Sequence, residues 1–339
     1  MKKVIFLSAI ALAAAVSCSK SEVVDTKFGN EAIGFENYLG RDAQTKAGVA
    51  TVETLATDGG IGVYGYYTGT TTWADKSKAN LLANEHLTSS DNGKTWTYTN
   101  TAYWTNATDK YTFFAYAPFG KATASQPKDA NPQIEYTVDP LLSKQVDLVY
   151  TKAIENTNVN ISKRESVALT FAHALARLSV KANATEYNNL TFTITNISIS
   201  GAFNTYGTFD LAAGKWLTTD TPATAPSYDL TGTVEQLLPA TPAYDFSAET
   251  NNYLMMVPTN FAAEGATPAT LTVKYYITYE GAKSAEIAKT VSINTNFEQG
   301  KAYTINLTLQ RDEKNAIKFS VNEVPDWTAG SSSDVEIDA

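Results

Sequence analysis

The sequence predicts an all-β protein made of two tandem, Ig-sized antiparallel β-sandwiches. Three observations carry this. Apolar residues alternate with Thr, Lys, Asn and other polar residues through most of the 339-residue chain, the period of half-buried strands. Turn-forming residues recur at short spacing: Asp91-Asn92-Gly93 supplies the positive-φ positions of a tight hairpin, and Gly59-Gly60, Tyr206-Gly207 and Gly281 punctuate other runs. Third, the alternation changes phase once. In the stretch 167–180 the large apolar residues fall on odd numbers up to Leu175 and on even numbers from Leu178, which one flat strand cannot do. Either a bulge re-aims the side chains or the chain passes into a second sandwich near His173. The second reading is preferred, because each half is long enough for an Ig-sized sandwich.

The elements follow in chain order. Lys2 and Lys3 precede an apolar run over residues 4–16 that is too short to remain as a spanning helix, so residues 1–17 read as an export signal. Ala15, Val16 and Ser17 lead into Cys18, the only cysteine, which is the pattern a lipoprotein signal peptidase accepts. Lipidated there, the chain holds a membrane through several acyl chains without a transmembrane helix. Residues 18–30 are polar and unpatterned, a lipidated tether. The N-terminal sandwich is assigned to 31–173 and the C-terminal one to 174–339. Strand patterns stand out at 96–99, 111–116, 190–194, 271–277 and 303–309. The segment from Trp73 to Glu85 is the best place for one or two helical turns.

Composition bounds the function. With 43% apolar residues a real core is affordable, whereas a net charge of −9 without runs of Lys or Arg argues against nucleic acid or an anionic membrane surface as partner. Two histidines, His86 and His173, and no cysteine besides Cys18 leave no zinc-type cluster and no nucleophile–base pair. His173 reads as a packing or hydrogen-bonding residue. Acids such as Asp91, Asp109, Asp129 and Asp220 sit at turns, where Asp serves local geometry. Neither catalysis nor a metal or other cofactor is expected. The 19 tyrosines and 5 tryptophans suit cross-strand core pairs. Were they to bind glycans, Tyr64, Tyr66, Tyr67, Tyr103 and Trp104 would be the place.

Several segments in order resemble the fimbrillin family of Bacteroidetes, the subunits of type V pili, and its fimbrillin-like lipoprotein relatives. They are Cys18 with its preceding residues; Ile33-Gly34-Phe35 followed by Thr45-Lys46-Ala47; Ile61-Gly62-Val63-Tyr64; Tyr103-Trp104 before the 111–118 run; Asp147-Leu148-Val149-Tyr150; the 169–178 junction; Tyr253 to Pro258; Phe297 to Ile305; and Ile317-Lys318-Phe319 leading to Pro325-Asp326-Trp327. The resemblance implies two transthyretin-like sandwiches and assembly by strand exchange. A lipidated precursor reaches the outer membrane, a trypsin-like protease cuts after the first strand, and the C-terminal segment of another subunit fills the groove that opens. Carried onto this chain, Ile33 and Phe35 mark the displaced first strand, Arg41 the cleavage site and Lys46 its runner-up. Ile317, Phe319 and Val321 present one apolar face as the candidate donor strand, with Val335 and Ile337 in the tail as a shorter second candidate. Ile317, Phe319 and Val321 also read as the last strand of the C-terminal sandwich. The expected partners are other fimbrillin subunits, the expected location is the outer-membrane surface and then the fimbrium, and the expected role is adhesion. A glycan-binding lipoprotein that does not polymerise, or a tip adhesin or anchor of the same pilus, stands as the alternative.

Overall fold

The structure, a computed structural model, describes residues 31–39, 52–105, 109–156, 166–232, 235–247, 253–310 and 317–324. Strands dominate it, as the alternation predicts, and Val52–Thr57 is a short α-helix. The largest sheet has seven strands. Its path runs Phe35–Leu39, Val167–His173, Val149–Thr151, Lys110–Ala117, Ile61–Gly69 and Leu82–Leu87, with Ile154–Asn156 pairing beside Lys110–Ala117. All its pairings are antiparallel except the first, where Phe35–Leu39 runs parallel to Val167–His173.

A five-stranded sheet has the path Tyr244–Asp245, Ala176–Ala184, Ala302–Leu309 and Ile317–Val324, with Leu254–Met256 also on Ala176–Ala184. It faces a six-stranded sheet centred on the antiparallel pair Leu190–Ser200 and Ala269–Tyr279. The apolar positions of the two sheets make one core, with Leu178, Val180, Phe192, Ile194, Leu271 and Ile305 at its centre. Here the sequence alternation reads directly as burial: Ala269–Tyr279 buries every second residue over its first seven positions.

The seven-stranded sheet is different, because both of its faces are covered. Val63, Phe113 and Leu169 pack on one side with Ile33, Phe35, Leu55 and Trp104. Tyr64, Tyr66, Phe114 and Tyr116 pack on the other against Ile134, Tyr136, Phe209 and Leu211. Lys110–Ala117 is therefore buried from Tyr111 to Ala117 without alternation, the pattern of a strand with no solvent face. The second cover is a four-stranded sheet of Ala122–Ser125, Gln133–Thr137, Tyr206–Asp210 and Lys215–Asp220. It takes two strands from each side of His173, so the halves share a sheet as well as a chain.

The phase change at His173 coincides with a passage between sheets. Val167–His173 belongs to the seven-stranded sheet and Ala176–Ala184 to the five-stranded one, with Ala174 and Leu175 as the step between them. That step is clamped: Leu148 O accepts from Ala174 N at 2.8 Å, Leu175 O accepts from Gly300 N at 2.9 Å, and Trp216 donates its indole N–H to Ala174 O at 2.8 Å. His173 meets Asp147 at 2.6 Å, consistent with a hydrogen-bonding role.

Two local expectations are corrected. Trp73 to Glu85 holds no helical turn, because Lys76 and Asn84 have φ of 64° and 58°, outside helical space. Its second half is instead the strand Leu82–Leu87, and Trp73 packs edge-on against Phe114 at 4.9 Å. The 96–99 run is not a strand but makes a single bridge, Thr97 to Thr88. The hairpin turn before it forms as predicted, with Asn92 and Gly93 at φ of 59° and 82°. Asp91 accepts hydrogen bonds there from the backbone and side chain of Thr95 and from Ser89, which hold its carboxyl low, at about 2.

Gly62 shows how closely the layers meet. A Cβ built there would lie 2.3 Å from the ring of Tyr116 on the neighbouring strand, which is itself packed into the core. Gly62→Ala is expected to destabilise the chain by about 1–3 kcal/mol through overpacking, measured as a lowered urea midpoint at unchanged slope.

Candidate functional site

The first strand occupies an edge groove. Val167–His173 has Val149–Thr151 on one side and needs a partner for its main chain on the other. Phe35–Leu39 supplies it, with Phe35, Asn37 and Leu39 opposite Val167, Leu169 and Phe171. The pairing extends one residue earlier, where Gly34 O accepts from Val167 N at 2.8 Å.

Upstream, the chain is held from a second direction by the loop after the hairpin. Ile33 N donates to Ala102 O at 2.9 Å, Glu31 O accepts from Trp104 N at 3.0 Å, and Ala32 bridges to Tyr103. The Tyr98 hydroxyl donates to Ile33 O at 2.7 Å. Two anchors go inward: Ile33 is 1% exposed and Phe35 4%. The Phe35 ring meets Tyr98 and Phe113 edge-on, each at 5.6 Å, a favourable aromatic geometry. Burying these two side chains contributes about 1.5–3 kcal/mol each. Without residues 31–39, the groove would expose the apolar side chains of Val167 and Leu169 and one unpaired strand edge.

A second edge strand lies in the five-stranded sheet. Ala302–Leu309 is sandwiched between Ala176–Ala184, parallel to it, and Ile317–Val324, antiparallel. Ile317, Phe319 and Val321 stand in register with Leu309, Leu307 and Ile305, all three of which are buried. They thus belong to the last strand among the described residues. The two edges are connected by little chain, since the groove strand Val167–His173 steps straight into Ala176–Ala184, which flanks Ala302–Leu309.

Cys18, Arg41, Lys46, Val335 and Ile337 lie outside the described residues. In sequence, Arg41 comes two positions after Leu39, the end of the groove-filling strand. The parallel pairing of the first strand, and the roles of Tyr98 and of the 101–104 loop in holding it, were not read from the sequence. The available signal is the alternation of Trp96 and Tyr98, which reads as a strand over 96–99.

The aromatic residues singled out for glycan contact are mostly interior. Tyr64, Tyr66 and Trp104 are buried, so their faces are occupied by other side chains, while Tyr103 is 49% exposed. Burial pushes the Tyr64 phenol up to about 12 and those of Tyr66 and Tyr116 upward as well. Tyr67 donates its hydroxyl to Asp109 at 2.8 Å. Among the described residues there is no group of three or more His, Cys, Asp or Glu side chains placed to hold a metal.

A profile of the family described as fimbrillin-like matches residues 45–327. The chain is 25% identical to the fimbrium subunit Fim1C of Phocaeicola vulgatus, over 95% of either sequence. Its structure is similar to the crystal structure of a fimbrial protein from Bacteroides vulgatus, with a TM-score of 0.68 and 21% identity over 88% of this chain and 100% of that one. It also resembles the crystal structure of a candidate cell adhesion protein from Bacteroides ovatus, with a TM-score of 0.52 and 16% identity over 89% of this chain and 99% of that one. The two structural likenesses bear on the fold.

The groove geometry sets a testable hierarchy. Phe35→Ala is expected to cost about 3 kcal/mol or more of stability and to release the Val167 amide to hydrogen exchange. Tyr98→Phe removes one hydrogen bond to Ile33 O and is expected to cost about 1 kcal/mol. Urea denaturation and amide exchange of the purified chain measure both.

Proposed function

The chain belongs to the fimbrillin-like family, and from that premise we propose that it is a structural subunit of a pilus, exported as a lipoprotein precursor and assembled by protease-triggered strand exchange in the service of adhesion. The family is one of fimbrial structural proteins rather than enzymes. The observation that carries the proposal is the first strand: it lies at a sheet edge, parallel to its one strand partner, and inserts Ile33 and Phe35 into a groove.

Cys18 carries the lipid that brings the precursor to the outer membrane. A trypsin-like protease then cuts after Arg41, or after Lys46 as the runner-up, and the strand containing Ile33 and Phe35 leaves. The vacated edge presents main-chain donors and acceptors together with apolar pockets, which a β-strand of another fimbrillin subunit fills by augmentation. Ile317, Phe319 and Val321 supply that strand. The partners are thus further subunits, of this chain or of related ones, and the mature location is the fimbrium. Support for an edge-to-edge mechanism comes from the position of both terminal strands, each at the outer end of its sheet.

Arg41→Ala, alone and with Lys46→Ala, tests the proposal. The wild-type chain purified from the cell surface is expected to begin at Asp42 and to run as a ladder of polymers on unboiled gels. The double variant is expected to keep a lipidated Cys18 and to stay monomeric. Normal polymer formation by the double variant with lipidated Cys18 retained would falsify the processing scheme.

A further inference from the structure

The groove and the C-terminal strand carry a common pattern that fixes how they would meet. Resting on the strand-exchange reading above, we infer that the C-terminal strand of a second copy enters the groove in one register, parallel to Val167–His173, with Ile317 replacing Ile33 and Phe319 replacing Phe35. The resident strand reads Ile33-Gly34-Phe35 and the incoming one Ile317-Lys318-Phe319, so the two deep positions receive the side chains they already hold. The pocket of Phe35 is shaped for an aromatic ring, since Tyr98 and Phe113 face it edge-on, each at 5.6 Å.

The neighbouring registers are excluded by burial. A slip of two residues that brings Ile317 to the Phe35 position sends Asn315 to that of Ile33, which is 1% exposed, and an amide without a designed partner is costly there. A slip the other way puts Val321 in the pocket of Phe35, where it leaves the space between Tyr98 and Phe113 part-filled. A slip of one residue turns the apolar face outward. In the inferred register Val321 lies opposite Leu169, where the resident strand has Asn37, and Glu323 takes the place of Leu39 opposite Phe171, at the end of the ladder. At Gly34 the three nearest atoms to a built Cβ all belong to Ser166, its Oγ at 2.8 Å. Ser166 is exposed, so rotation of its short side chain makes room for Lys318.

The test is site-specific cross-linking in assembled polymer. Cys18 precedes Arg41, so a processed subunit carries only introduced thiols. Val321→Cys is combined in turn with Val167→Cys, Leu169→Cys and Phe171→Cys, and the polymer is oxidised and resolved without reductant. The inferred register gives inter-subunit disulfides with position 169 in large excess over the other two. Predominant linkage to 167 or 171, or polymer without linkage to any of the three, overturns the register while leaving strand exchange intact. Absence of polymer from the wild-type chain overturns strand exchange and the register with it. Because a cysteine at 169 risks destabilising the core, a donor-side measurement accompanies it: Phe319 is replaced by a photoreactive benzoyl-phenylalanine and the acceptor is left native. Adducts on Tyr98 or Phe113 are the expected result. Adducts confined to Phe171 and its neighbours contradict it.

Discussion

The outer edge of Val167–His173 is the constraint on which the N-terminal half depends. A β-strand inside a folded protein needs partners for its main-chain groups on both sides, and an apolar strand left with an open edge pairs with whatever is available. Here the partner comes from residues far away in sequence and runs parallel, the less common arrangement, made possible because the intervening chain has already built the rest of the sheet. The same strand also positions the core behind it. Leu169 and Val167 share a hydrophobic cluster with Phe113, Val63, Leu55 and Trp104, and Ile33 and Phe35 complete that cluster from the open side. The first strand is therefore both a ladder and a plug.

The rest of the molecule is arranged so that this edge is rigidly tied to the other one. Ala174 and Leu175 are the whole connection between the groove strand and the five-stranded sheet, and they are fixed by Leu148, Gly300 and the Trp216 indole. Gln299 adds a bridge across the halves, donating to Tyr150 Oη at 3.1 Å and to Gly214 O at 2.9 Å. Gln145 accepts from Met255 N at 2.7 Å. Arg177, just past the step, lies with its guanidinium 4.7 Å from the centre of the Tyr253 ring, and burial lowers its affinity for a proton. Shared strands, shared core and these bonds make the junction a packed interior rather than a flexible linker.

How much of this was legible follows from which interactions are local. The half-buried strands of the C-terminal half announce themselves, because one wet face forces alternation, as in Ala269–Tyr279. The change of sheet at His173 was legible for the same reason: a phase slip is the one-dimensional trace of a change in which face is inside. Asn92-Gly93 gave away its turn through backbone chemistry alone. What failed was non-local. Lys110–Ala117 loses its alternation because a sheet of four strands, two of them from beyond residue 200, covers its second face. Trp96 and Tyr98 alternate like strand residues, yet they serve as the wall of a groove, and nothing near them in sequence says so. In the same way Ile33 and Phe35 could be recognised as apolar and alternating, whereas their parallel partner, chosen across more than a hundred residues, could not.

The location of Arg41 gains physical sense from the groove. A strand that stays covalently attached competes for its own groove at an effective concentration of about millimolar, so a strand from another molecule has to beat both the burial of Ile33 and Phe35 and that advantage. Cutting between the strand and the body of the fold removes the second term without touching the first. The resident strand keeps its contacts but becomes a separate peptide that, once it leaves, is diluted away. A C-terminal strand delivered by a neighbouring subunit then competes without facing that tether, provided it leaves its own seat beside Ala302–Leu309, and it brings Val321 opposite Leu169. In the proposed scheme proteolysis therefore acts on the entropy of the exchange, while the choice of strand and register is left to the pockets that the first strand has kept formed.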